Sequence, residues 1–211
     1  MTRFRLWAVL GLLWLGGVAA GLAGLASYAN RPGATGRAPE SWPAESALAR
    51  PLDRPTLLLF LHPRCTCSQA SVAELAELLA RAAAAPATRV IFVRPPAAPE
   101  GWESSELWSA ARRLPAATLL TDVDGVEARR FGARTSGQTL LYGADGRLQF
   151  AGGLTASRGH PGESAGRAAI LALLAHEVPA TTRSPVFGCE LFDRDDEGRP
   201  DAERPDRRAG R

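Results

Sequence analysis

The chain has 211 residues, with 25 Lys plus Arg against 22 Asp plus Glu and a net charge of +3. Every basic residue is Arg, and the arginines are interleaved with acids, so no basic stripe forms, the charge is too small to argue for nucleic acid, and no nucleic-acid partner is expected. The length suits one domain plus extensions, and three cysteines, Cys65, Cys67 and Cys189, make an odd set worth reading as reactive.

In chain order, Arg3 and Arg5 precede Leu6 to Ala29, an uncharged run longer than the ~20 residues needed to span a bilayer. Trp7 and Tyr28 sit near its ends, where amphipathic aromatics favour the interface. Residues 1–29 are therefore expected to be a membrane anchor, with a cleaved signal sequence as the rival. Either way the remainder is exported, to the extracytoplasmic side of the cell membrane, where disulfides persist. Residues 30–50, and the stretch on to Arg54, are rich in Pro, Gly, Ala and Ser and read as a tether, with Trp42 available to dock on the domain.

Thr56 to Leu61 is a continuous apolar run bounded by Pro55 and Pro63, which suits a strand buried on both faces. Val72, Leu75, Leu78 and Leu79 then follow a helical stripe, with Glu74, Glu77 and Arg81 off it. Between strand and helix lies Cys65-Thr66-Cys67. Thr66 with Gln69, and Ser71 with Glu74, have capping-box spacing, which places the cysteines on the N-terminal side of the helix. Unpaired N–H groups there favour a thiolate, and Arg64 adds to the same bias.

A second strand is expected over Thr88 to Val93, a loop over the prolines that follow, and a helix through Trp102, Leu107, Trp108 and Ala111. Ala117 to Thr121 is a third short strand. Asp122-Val-Asp-Gly reads as a turn, since the later positions of a calcium loop carry Val, Ala and Arg. Val123 to Phe131 is a short helix or extended link. Gln138 to Tyr142 and Arg147 to Ala151 flank Gly143-Ala-Asp-Gly, a strong hairpin signal. Glu163 to Glu177 is a helix with Ile170, Leu173, Leu174 and Val178 on one side. Residues 181–192 contain Val186, Phe187, Cys189, Leu191 and Phe192, an apolar strip that must bury somewhere and is expected to fold back on the domain. Residues 193–211 are charged, with almost no apolar side chains, and read as a disordered tail.

The stretch from Phe60 to Cys65, an apolar strand ending in Phe and running into a cysteine at a helix start, resembles the thioredoxin-like family. The resemblance covers 51–180 and implies an α/β fold: a central mixed sheet with helices on both faces, here preceded by one N-terminal transmembrane helix. It implies that Cys65 takes the place of the attacking cysteine. The family's second cysteine would fall at Ser68, and Cys67 lies one residue earlier. The family's cis-proline, which faces the cysteines and helps bind the partner chain, would fall near Gly137 in Thr135-Ser-Gly-Gln, so the proline is absent. Together, His-Pro-x-Cys-x-Cys, Thr-Ser-Gly and Pro-Val-Phe-Gly-Cys resemble a small group of bacterial membrane-anchored proteins called RedB.

The first functional expectation is thiol–disulfide exchange through Cys65 and Cys67, with Cys189 as a further resolving thiol. His62, Arg64, Ser68, Gly137 and His160 are expected to tune the thiolate or face substrate. His160 lies in the glycine-rich loop 153–163, which need not touch the cysteines. A Cys65–Cys67 bridge would close a very small ring and be readily reduced. No cofactor is needed, and the partners would be exported thiol or disulfide proteins and an electron donor of unstated identity. The alternative is a soft Cu(I) or Zn site built from Cys65, Cys67 and His62. The third expectation is a domain that binds a partner without chemistry.

Overall fold

The computed structural model describes residues 2–95 and 97–192, so the expected tail 193–211 lies outside the described residues. Helix α1 (Thr2–Ala29) is followed by β1 (Thr56–Leu61), α2 (Ser68–Arg81), β2 (Ala87–Arg94), α3 (Glu106–Ala111), β3 (Ala117–Val123), α4 (Val126–Arg130), β4 (Gln138–Tyr142), β5 (Leu148–Gly152) and α5 (Ala165–Leu174). The five strands form one sheet in the order β3-β2-β1-β4-β5. β1 lies at its centre, parallel to β2 and antiparallel to β4. That position explains its unbroken apolar sequence: every residue from Thr56 to Leu61 is buried, because both faces of the sheet are covered.

Alternation along β1 divides the core. Leu57, Leu59 and Leu61 point to the face where α2, α3 and α5 pack. Leu58 and Phe60 point to the other, against Ala128 of α4 and against Phe131, Tyr142 and Leu191. Asp122, read as part of a turn, holds α4 in place: its carboxylate accepts hydrogen bonds from the Glu127 and Ala128 amides at 3.1 and 2.8 Å. Burial raises its pKa.

Three expectations are corrected. The 30–54 stretch is not a free tether. It is a strap laid along the second face, where α4 alone, a helix of 5 residues, leaves apolar strand surface uncovered. Tyr142 donates its hydroxyl to the Pro39 carbonyl at 2.9 Å, and the Trp42 and Leu148 amides donate to Gly146 and Glu40. Trp42 meets Phe131 and Tyr142 edge-on at 5.0 and 5.3 Å, each such pair worth about 0.5–1.5 kcal/mol beyond its area. Secondly, Glu74 is 2 % exposed although it lies off the apolar stripe. It ion-pairs with the nearly buried Arg167 of α5, which satisfies both charges as burial demands. Thirdly, α5 stops at Leu174. His176 follows in the left-handed region at φ 59°, and Val178, expected on the apolar side, is 95 % exposed.

Helix α1 presents its large apolar side chains outward, none of them buried against the domain. Phe4–Ala29 is long and apolar enough to cross a membrane.

Candidate functional site

The chain leaves β1 at Leu61 and turns tightly before α2. The Cys65 amide donates to the His62 carbonyl at 3.0 Å, and the Ser68 and Gln69 amides donate to Cys65 and Thr66. Neither expected capping box forms the start of α2. Cys67 is the N-cap residue, with helical φ and ψ and no side-chain cap, because the hydrogen-bonded turns at 62–69 already engage the first amides. Cys65 therefore sits just before the helix, with its side chain directed inward and 1 % exposed.

The sulfur that meets Cys65 belongs to Cys189. Their Sγ atoms are 3.1 Å apart, although 124 positions separate them in sequence. All three cysteines are free thiols, and Cys67 is half-buried. The Cys189 amide also points at Cys65 Sγ, at 3.4 Å. These donors, led by the Cys189 thiol and joined by Ser68, hold the Cys65 thiol down at about 4 against the opposing effect of burial. The same hydrogen bond pushes the Cys189 thiol up, since losing its proton would set two thiolates side by side. Cys65 is thus the more acidic thiol of the two. Arg64 is not among the causes. Its guanidinium stacks over the Trp102 ring at 4.8 Å.

Cys189 is delivered by the apolar strip, which folds back onto the domain. The Ser136 amide donates to the Cys189 carbonyl, and the Leu191 amide to Arg134, both at 2.8 Å. Thr135 and Glu190 thus pair as antiparallel neighbours. Val186, Phe187 and Leu191 are buried, and burying side chains of this size stabilises by roughly 1.5–3 kcal/mol each. Gly188 permits the approach, since a Cβ there would run into the Ser136 carbonyl oxygen. The strap helps from outside, its Gly33 amide donating to Val186 at 2.8 Å.

Ser68 is fully buried, and its hydroxyl lies 2.7 Å from that of Ser136, which accepts from the His62 amide at 2.8 Å. This links the cysteine turn to the Thr135–Gly137 loop, at the position where the family resemblance expects a proline. Gly137 has φ 95° and donates its amide to Phe60, and the described residues contain no cis peptide bond. His62 accepts from the Arg64 amide at 3.2 Å through Nδ1 and meets Trp102 edge-on at 5.5 Å. His160 is exposed.

The loop carrying His160 passes close to the cysteine turn: a Cβ added at Gly159 would lie 4.0 Å from the Cys67 Cα. Glu74 fastens it, accepting from the Gly162 amide at 2.6 Å. Sequence reasoning missed Ser136 and Arg158. The Arg158 guanidinium donates to the Gly188 carbonyl, to Arg31 at 3.2 Å, and lies over the Tyr28 ring at 5.2 Å. Its amide donates to Ala29 at 2.9 Å. One side chain thus joins the end of α1 to the residue before Cys189. Among the described residues, no group of three or more His, Cys, Asp or Glu is placed to hold a metal ion.

Fold and site together define a thioredoxin-like α/β domain with a buried cysteine just before a helix and a second cysteine against its sulfur. No protein-family model matches the sequence, and no curated protein matches it. Among solved structures, the chain is similar to an uncharacterized conserved protein from Geobacillus kaustophilus, with 17 % identity over 78 % of this chain and 93 % of the other and a TM-score of 0.55. It is also similar to a hypothetical protein from Sinorhizobium meliloti, at 20 % identity over 76 % of this chain and 93 % of the other, TM-score 0.48. A secreted Mycobacterium tuberculosis disulfide oxidoreductase homologous to E. coli DsbE matches at 22 % identity over 58 % of this chain and 81 % of the other, TM-score 0.41. The first of these likenesses supports the fold.

Proposed function

We propose that this chain is an exported thiol–disulfide oxidoreductase, anchored by α1, whose exchanging pair is Cys65 and Cys189. The observation that carries this reading is the 3.1 Å approach of the Cys65 and Cys189 sulfurs, which is close to, but longer than, the ~2.05 Å of a bond. A low-pKa thiolate against a second thiol is the arrangement that forms and breaks a disulfide. Cys67, expected as the first partner, becomes the neighbour at the helix cap. The partners are exported thiol or disulfide proteins and an electron carrier, and the RedB-like grouping belongs to the same reading. The Cu(I) or Zn alternative has less support, because the Cys65 sulfur is engaged by Cys189 and His62 Nδ1 accepts from Arg64.

The test is a non-reducing peptide map of the full-length protein after oxidation, alongside turnover of a dithiol peptide. A Cys65–Cys189 crosslink with dithiol oxidation is expected. An exclusive Cys65–Cys67 bridge, or stoichiometric Cu(I) binding without disulfide turnover, overturns the proposal. Membrane fractionation with resistance to alkaline extraction is the matching result for the anchor, and recovery of a shortened soluble form refutes it.

A further inference from the structure

The two sulfurs of the pair are not equally available. Cys65 is 1 % exposed, with Ser68 beside it and Cys189 of the strip against its sulfur. Cys189 is exposed. The strip is also well seated. The Ser136 and Leu191 amides hold it on one side, Gly33 donates to Val186, and Arg158 donates to Gly188. A partner that attacked Cys65 would first have to strip away these bonds and re-expose Val186, Phe187 and Leu191. A partner that attacked Cys189 would meet a residue that is already exposed.

Thiol–disulfide exchange depends on which sulfur is accessible and on which thiolate leaves. Resting on the reading that Cys65 and Cys189 form the exchanging disulfide, we propose that incoming partner thiols enter at Cys189, and that Cys65 is the buried leaving sulfur rather than the point of attack. The partner thiolate bonds to Cys189 Sγ, the Cys65–Cys189 bond breaks, and its electron pair stays on Cys65 as a thiolate. The partner's second thiolate then attacks its own sulfur in the mixed disulfide and releases Cys189 as a thiolate that takes up a proton. The partner dithiol is oxidised to a disulfide, and the Cys65–Cys189 disulfide is reduced to the pair.

The leaving group suits this direction. The Cys65 thiolate is received by the Cys189 amide and by Ser68, two donors that remain in place when Cys189 carries the partner's sulfur and that favour its departure. The partner in this direction is a dithiol, presented on an accessible surface and oxidised on contact with the strip.

The experiment uses the full-length protein in detergent, oxidised and freed of oxidant. Reduced glutathione is added, the reaction is quenched in acid at early times, and free thiols are blocked with N-ethylmaleimide before mapping. Glutathione on Cys189 with the maleimide on Cys65 is the expected result. Glutathione on Cys65, or on Cys67 alone, overturns the proposal. As a second measurement, reduced Cys65→Ser and Cys189→Ser proteins are exposed to oxidised glutathione at pH 9, where both remaining thiols can ionise. Cys189 in the first is expected to be modified at least about tenfold faster than Cys65 in the second, since access limits the rate. Equal rates overturn the proposal even if both variants are folded. Failure to form any Cys65–Cys189 disulfide in the first step removes the proposed function, whereas a disulfide that opens at Cys65 removes only this inference.

Discussion

Cys65 owes its chemistry to residues far away in sequence. A helix start alone lowers a thiol modestly, and here the largest cause is the Cys189 hydrogen bond. Cys189→Ala should therefore move the thiolate absorbance midpoint of Cys65 upward from about 4, read by ultraviolet titration of the reduced protein. A midpoint left unchanged would mean that Ser68 and the helix suffice. The same depression has a consequence for stability. A cysteine held at about 4 in the fold and at 9.0 when unperturbed stabilises the reduced fold fully above pH 9, and the contribution is lost as pH falls toward 4. Cys189, shifted upward, works in the opposite direction only above its ordinary range. Reduced protein should thus gain thermal stability between roughly pH 5 and 8. The disulfide form, with no thiolate to protect, should lack that gain.

At the scale of elements, the local pattern carried most of the fold. The apolar run bounded by Pro55 and Pro63 identified β1 because a strand covered on both faces needs no alternation, and the 72–75–78 stripe identified α2. The burial of Glu74 was not legible, because its partner Arg167 lies 93 positions away on α5 and a lone Glu on a helix reads as solvated. The strap was misread for a related reason. Pro and Gly describe a segment without regular structure, and such a segment packs when an uncovered sheet face awaits it. Glu74 now serves two elements at once, pairing with Arg167 and accepting from Gly162. Replacing it by Ala strands a nearly buried guanidinium, so Glu74→Ala should cost about 3–5 kcal/mol in denaturant unfolding of the domain. It should also release the 153–163 loop from α2, raising amide exchange at Gly162 in the same sample. A loss below about 1 kcal/mol would class the pair with exposed ion pairs.

On the scale of the whole molecule, the site is a meeting point of segments distant in the chain: the cysteine turn, the Thr135–Gly137 loop, the strip and the end of α1. The sequence pattern called for the strip to bury, since Val186, Phe187 and Leu191 have nowhere else to go, yet apolar pattern alone does not specify the register that sets Cys189 against Cys65. That register comes from backbone pairing at Arg134 and Ser136, from the missing Cβ of Gly188, and from Arg158. Arg158 reaches the end of α1, through the Tyr28 ring and the Ala29 carbonyl, and the Arg31 carbonyl just beyond it. It thereby couples the seating of the Cys189 strip to the point where the apolar helix ends. Arg158→Ala keeps the backbone bond to Ala29 and removes the guanidinium's bond to Gly188. A hydrogen bond from a charged donor contributes about 1.5–3 kcal/mol. Amide exchange at Leu191 and Ser136, the two amides that pair strip and loop, should accelerate by about tenfold or more, with β1 and β4 amides unchanged. The Cys65 midpoint should rise in the same variant, as the Cys189 thiol spends less time against the thiolate. If exchange accelerates equally across the sheet, Arg158 supports the fold as a whole rather than the strip. If neither exchange nor the midpoint moves, backbone pairing and Gly188 seat Cys189 without it.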